Sequence, residues 1–421
     1  MTRRLIVAFA VLALTAFGRG EPRAVDVAGR VVDAATHAPI RDAIVTSDGR
    51  EIRTDAQGSF QITAPADRAI GVRAYGYGRV DRAAASLSGS HGDVALTPIR
   101  PKALYLSMFG IASSSLRTPV LRLAETMEIN ALVIDVKGDR GLIAFPRSDP
   151  VAHAVGAQKT ITIKDLHGLA ADLHERGLYL IARIVVFKDD LLATGRPDLA
   201  VHRLNGSLFR DREGLAWTNP YDQAVWDYNI GVAVDAARAG FDEIQFDYVR
   251  LPDAQDLALP LQRSEANRVA PIDGFLTKAR EALRPFNVFL AADVFGYVCW
   301  NTNDTGIGQR LGDLMSVVDY LSPMVYPSAY QFGIPGCRNP ATHPYDVVRR
   351  SLEEAVRRTG VPPVRIRPWL QAFPDYAFRS GSFTHGEVRS QIGAAEDVGT
   401  DGWMLWNPRN RYSAADLRPG T

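Results

Sequence analysis

Residues 240–252 read GFDEIQFDYVRLP. Phe241, Ile244, Phe246, Tyr248 and Val249 suit a buried β-strand, yet Asp242, Glu243, Asp247 and Arg250 lie among them. Side chains alternate between faces along a strand, so Gln245 and Asp247 share one face and Phe246 takes the other. A buried strand can carry a carboxylate where it opens onto a site, and Pro252 marks the end of the strand soon after. In a closed α/β barrel that end is the C-terminal rim, where the loops form the mouth. The stretch therefore predicts the fourth strand of a barrel, with Asp247 at its top.

The neighbouring sequence repeats the theme. Apolar, strand-like runs fall at 103–110, 131–138, 179–189, 243–250, 288–296, 320–328, 365–373 and 402–408. Amphipathic stretches separate them; in one, Val347, Val348, Leu352, Ala355 and Val356 recur near the helical period. Eight strands, all but the last followed by a helical stretch, match a (β/α)8 TIM barrel of the α/β class. A doubly wound open sheet is the alternative, but no Gly-rich nucleotide fingerprint follows any of the runs.

Polar residues gather at the C-terminal ends of these runs. Asp247 and Asp293 end strands four and five, which lie roughly 4.8 Å apart in a sheet. Two carboxylates flanking a bond are the minimum for glycoside hydrolysis, so this pair is read as catalytic. Arg250 is expected to hold Asp247 ionised; the alternative is a structural Asp–Arg pair sealing the barrel top. Asp135 is a third carboxylate, or else an ion-pair partner of Lys137 or Arg183. Substrate binding is assigned to Asp135, Lys137, Arg250, Trp300, Tyr326, Trp369, Gln371 and Trp406, the rings because sugar C–H faces pack on aromatic planes. Each ring taken singly reads better as core or rim packing.

Lys plus Arg number 48 and Asp plus Glu 47, with no block of either sign, which argues against nucleic acid or an anionic membrane as partner. The eight histidines are scattered without H-x-H or H-E-x-x-H, so no metal and no cofactor are expected. Residues 1–20, MTRRLIVAFAVLALTAFGRG, have the charge, apolar core and small-residue layout of a secretory signal. No other segment could cross a bilayer, so the expectation is a periplasmic or extracellular protein with no stable membrane insertion after cleavage. Export permits a disulfide, and Cys299 and Cys337, which follow strands five and six, are expected to form one.

Residues 25–98 read as short strands broken by turn signals. On GRVVDAATHAPIRDAIV and TDAQGSFQI this segment resembles the carboxypeptidase regulatory-like domain, an all-β transthyretin-like sandwich. Pro98 and Pro101 mark a linker, and the barrel domain is expected over 101–415. Within it GFDEIQFDYVRLP, ADVFGYVCWNTNDTGIGQ, YLSPMVYPSAY, RPWLQAF and DGWMLWNP resemble, in order, the bacterial putative glycosyl hydrolase domain family. Chitinase-like barrels offer a looser likeness that fails at Val249 and Pro327, where their acids stand. Asp247 and Asp293 instead fit the strand-four nucleophile and strand-five acid of α-amylase-like barrels, whose acid is a Glu. The resemblance implies an exported glycoside hydrolase acting on a polysaccharide or oligosaccharide. The competing class is a non-catalytic carbohydrate-binding barrel or a cell-envelope scaffold.

Overall fold

The computed structural model describes residues 24–87, 92–378, 383 and 385–420; the expected signal segment lies outside them. Strand four shows how the chain builds its main body. Asp222 caps the helix Gln223–Ala239 by accepting from the Ala224 N–H, and Gly240 ends it at φ +110°, a left-handed conformation natural to glycine. The chain then enters the strand Glu243–Asp247, buried at every position. Ile244 and Phe246 point outward into the helix layer, where the Phe246 ring meets Phe275 edge-on at 4.9 Å. Glu243, Gln245 and Asp247 take the other face, toward the barrel axis.

Eight parallel strands close in sequence order: Lys102–Leu106, Ala131–Lys137, Tyr179–Val185, Glu243–Asp247, Phe289–Phe295, Tyr320–Met324, Trp369–Gln371 and Trp403–Trp406. They are strands one to eight of the barrel. Several are shorter than the apolar runs that predict them, because each run continues into the loop at the mouth. The barrel interior is filled by Ala103, Val133, Ile181, Ala291, Tyr320 and Met404 among others, a packed core rather than a pore. One irregularity matters below. Between strands two and three the register shifts, so that Arg183 faces Asp135 but Ile184 faces Lys137.

The residues before the barrel form two sheets around a shared apolar cluster that includes Val31, Val45, Phe60 and Val72. One sheet orders Ser59–Pro65, Ala24–Asp33 and Asp93–Leu96; the other orders Arg50–Arg53, Ile44–Ser47, Ala69–Arg73 and Val80–Ala83. This unit sits on the closed end of the barrel, against the N-terminal ends of strands four to six. Arg79 donates to Asp242 at 2.9 Å and to the Gly240 carbonyl at 2.8 Å, and Arg73 donates to Asn287 at 3.2 Å. The approach is close: a Cβ at Gly71 would stand 2.5 Å from Asn287.

The expected disulfide is not formed. Cys299 and Cys337 are separate thiols, both buried. Cys299 ends the turn Gly296–Cys299 inside the helix-layer core, where burial pushes its thiol up to about 12. Cys337 closes its own tight turn by mutual hydrogen bonds with Ile334 at 2.8 and 2.9 Å. Each behaves as a small apolar residue packed where it stands.

Candidate functional site

The mouth of the barrel is organised by a residue from the middle of strand three. Arg183 belongs to an otherwise apolar strand, Tyr179–Val185, and points inward. Its Nη1 donates to Asp135 at 2.6 Å. Its Nε donates to Asp247 Oδ2 at 3.1 Å, and Nη2 meets the same oxygen. The same Nε lies 3.7 Å from Asp293 Oδ2. Three carboxylates from strands two, four and five thus converge on one guanidinium, which lies flat over Trp406 at 4.9 Å.

Other side chains fix each carboxylate. Tyr105 donates its hydroxyl to Asp135, and Trp369 donates its indole N–H to Asp293 Oδ1 at 2.7 Å. The Tyr248 N–H donates to Asp247 Oδ1. Tyr248 has φ +50°, costly for a bulky residue, and such strain is held only where the surroundings over-determine it. The second oxygen of Asp293, Oδ2, has no hydrogen-bond partner among the described residues.

One positive charge faces three carboxyl groups, and the imbalance shows in their proton affinities. Burial, and then the charge of Asp247, hold Asp293 well above the usual carboxylate range. Burial also raises Asp135. For Arg183 burial works against the charge, but Asp135 and Asp247 outweigh it and push the guanidinium well above its ordinary value. Burial, then Asp293 and Asp247, raise Tyr326. The arrangement favours the protonated form of Asp293 beside the ion-paired Asp247.

A cleft of about 270 Å3 opens above this cluster, lined by Asp247, Arg183, Tyr326, Trp369, Tyr376 and Trp406 together with Tyr248, Arg250, Phe295, Met324 and Ala329. Of the residues singled out in the sequence, Asp247, Arg250, Tyr326, Trp369 and Trp406 line this one cleft. Asp135 and Asp293 do not line it, and Asp293 is only 1% exposed. A larger groove, about 820 Å3, lies on the barrel flank between Arg147 and Arg238, away from the carboxylates.

Three expected binding residues are elsewhere. The register shift sends Lys137 out of the barrel axis, where it is fully buried and bonded to Asp189 at 2.8 Å and to the Val185 carbonyl at 2.6 Å. Trp300 donates to Ser351 at 2.9 Å, behind the mouth. Gln371 is fully buried and braces Ser328 by hydrogen bonds of 2.8 and 3.0 Å. The role expected of Arg250 also changes. The left-handed turn at Tyr248 carries Arg250 out of ion-pair distance of Asp247, to lie against the edge-to-face pair of Trp217 and Tyr248, at 4.8 and 5.2 Å from their ring centres. Arg183 takes its place as partner of Asp247. The signal for that was available in YLIARIV: a guanidinium enclosed in an apolar strand must meet carboxylates.

The model of a family described as putative glycosyl hydrolase domain matches residues 103–412. No curated protein matches the chain. Among solved structures, a hypothetical protein from Ruminiclostridium thermocellum ATCC 27405 is 34% identical over 45% of this chain and 97% of its own, with a TM-score of 0.40. The PgaB (BpsB) glycoside hydrolase domain from Bordetella bronchiseptica is 16% identical over 74% of this chain and 95% of its own, with a TM-score of 0.55, a likeness of fold. Alpha-L-fucosidase isoenzyme 2 from Paenibacillus thiaminolyticus covers 76% of this chain and 48% of its own at 16% identity, with a TM-score of 0.49.

Proposed function

The chain belongs to the putative glycosyl hydrolase domain family, and from that premise we propose that it is an exported glycosidase that cleaves a polysaccharide with Asp247 and Asp293 as its working pair. The observation that carries the reading is the shared guanidinium. Asp247 lines an aromatic cleft, and Asp293, its protonated form favoured, lies within reach of the same Arg183 nitrogen. A glycosidase needs one carboxylate to attack or to activate water and one carboxylic acid to protonate the leaving oxygen, at separations of roughly 5–9 Å. Asp247 supplies the first. Asp293 supplies the proton. Trp406 and the exposed Tyr376 contribute ring surface for the sugar.

The charge and apolar layout of residues 1–20 supports export to the periplasm or the extracellular space. Among the described residues no helix is long and apolar enough to cross a membrane. The N-terminal unit is read as a transthyretin-like accessory module that braces the closed end of the barrel.

One observation favours a second reading. The Asp293 side chain is wholly enclosed and Asp247 is tied to Arg183, as suits a carbohydrate-binding barrel that does no chemistry. Incubating the purified protein with defined polysaccharides and measuring new reducing ends separates the two. Release from at least one polymer is expected; binding without release from any of them assigns the barrel to recognition alone.

A further inference from the structure

Beyond Tyr248 the cleft continues. A second chamber of about 450 Å3, lined by Lys188, Phe209, Arg212, Trp217 and Asp253 among others, shares Tyr248 and Arg250 as a common wall with the Asp247 cleft. We propose that this chamber is a subsite for a sugar bearing an oxyanion, a carboxylate or an ester sulfate, with Arg250 and Arg212 as its ligands. The proposal rests on the glycosidase reading only in taking the ligand to be a glycan.

The ion pairs around the chamber decide which cations are free. Lys188 is satisfied by Glu213 at 2.9 Å and Asp211 at 3.3 Å. Arg203 pairs with Asp256, and Arg210 pairs with Asp190 at 2.8 Å. Asp211 is occupied in turn, accepting from the Trp217 indole at 3.0 Å. Arg250 and Arg212 are left with no carboxylate at ion-pair distance among the described residues. Arg250 donates to the Leu251 carbonyl at 3.1 Å, and the rest of its five donors find no protein partner among those residues. Arg250 is half-buried, and burial lowers its proton affinity. With no carboxylate at ion-pair distance, its planar fork is free to match a carboxylate or sulfate edge.

Trp217 and Tyr248 complete the site. They meet edge-on at 5.6 Å with the Arg250 guanidinium against both rings, and Tyr248 also faces Lys188 at 5.0 Å. The strained backbone at Tyr248 thus places one ring between the cleft over Asp247 and the cationic chamber. A glycan lying across both would present one residue to Asp247 and the charged group of a neighbouring residue to Arg250. Asp253, exposed and without an ion-pair partner among the described residues, is the acid that weakens the site.

The test uses the full chain and four polymers: polygalacturonate, its carboxyl-reduced form, dextran sulfate and dextran. Affinity is measured calorimetrically at about 0.15 M salt, so that diffuse attraction is screened. At least one charged polymer should bind roughly tenfold tighter than its neutral counterpart, the scale of a hydrogen bond to a charged group. The polymer showing the preference tells carboxylate from sulfate. Arg250→Gln and the exposed Arg212→Gln should each erase most of the preference, and Asp253→Asn should increase it. Arg238→Gln, on the barrel flank, should leave it intact. Equal binding of charged and neutral polymers overturns the proposal. So does a preference that survives both Arg212→Gln and Arg250→Gln, or one lost equally in Arg238→Gln. Cleavage of a neutral polymer with equal binding would sink the subsite and leave the glycosidase. A charge preference without reducing-end release would do the reverse.

Discussion

The barrel carries two arginine–carboxylate clusters, one at each end, built from nearly the same parts. At the mouth Arg183 holds Asp135 and Asp247 and approaches Asp293, with Tyr105 donating to the first. At the closed end Arg367 holds Glu243 and donates to Asp401 at 2.7 Å, with Tyr179 donating to Glu243 at 3.0 Å. Both arginines are buried and pushed above their ordinary values by carboxylates that outweigh burial. Burial raises Glu243 and Asp401 as it raises Asp135 and Asp293. Each cluster even leaves one carboxyl oxygen without a hydrogen bond, on Glu243 and on Asp293. Perturbed titration therefore does not distinguish a site from a structural knot. Access does: Asp247 lines a cleft, whereas the Arg367 and Glu243 side chains are wholly enclosed under a roof that includes Tyr75 and Gly76 of the N-terminal unit.

The largest effect that would break this contrast is at the closed end. Arg367→Gln leaves Glu243 and Asp401 buried without their counter-charge, and breaking a buried pair costs about 3–5 kcal/mol. Denaturant unfolding should show that loss, while turnover per folded molecule stays near the parent value. A fall in turnover per folded molecule without a fall in stability would give the lower cluster a chemical role.

At the mouth the expectation reverses. Asp247→Asn keeps shape and the bond from the Tyr248 N–H but removes the attacking or activating carboxylate. On a confirmed substrate turnover should drop by about 10²–10⁴-fold, with stability changed far less than by Arg367→Gln. An activated aryl glycoside, which needs little protonation, should not rescue it. Near-normal turnover would make Asp247 structural and erase the difference between the two ends.

The contrast also shows what the sequence could and could not say. The eight strands are legible because most of them are apolar on both faces, and Asp247 and Asp293 because carboxylates end two of them. Glu243 and Asp247 share a strand and a face, so alternation alone gives them equal weight; only the direction of the chain in a barrel separates floor from mouth. Lys137 and Arg250 are misplaced for a common reason. Both positions are extrapolated by regular alternation past a break in regularity, the register shift at Arg183/Ile184 in one case and the left-handed Tyr248 in the other. Neither break leaves a glycine or proline at the site to announce it. The bridge expected between Cys299 and Cys337 failed because neighbouring loops need not bring two side chains face to face.

A smaller effect tests the roof over the closed end. Arg79 and His174 both bond Asp242, at 2.9 Å each. Although burial opposes it, the bonds from His174 and Arg79 hold Asp242 below the usual carboxylate range. A depressed folded value means a contribution present above the unfolded carboxylate range and lost as pH falls through the folded one. Arg79→Gln should cost about 1–3 kcal/mol at neutral pH, and the cost should shrink in acid as Asp242 is protonated in parent and variant alike. A penalty that does not change with pH would mean that Arg79 acts by packing and not by charge.

The smallest effect runs opposite in sign to that at Asp242. Asp293 titrates above its unfolded range because burial and the Asp247 charge disfavour its ionised form. A raised folded value contributes stability that is complete below the unfolded range and lost as pH rises through the folded one. Asn at this position still accepts from the Trp369 indole and never ionises, so Asp293→Asn should be as stable as the parent in acid. On the alkaline side it should be more stable, by about 1 kcal/mol, while losing activity. Glu243 and Asp401 add a decline of the same sign, but it is common to parent and variant and cancels in the difference. Melting temperatures of both proteins across pH measure that difference directly. The parent's activity should fall over the same alkaline range, because the proton that Asp293 gives is the one it loses there. Asp247→Asn removes a charge that helps to raise Asp293 and leaves Arg183 to favour the ionised form, so the stability decline from Asp293 should begin at lower pH. Parallel stability curves for parent and Asp293→Asn would show that the proton at the mouth is not held by Asp293, and the acid of the working pair would have to be sought in Asp135.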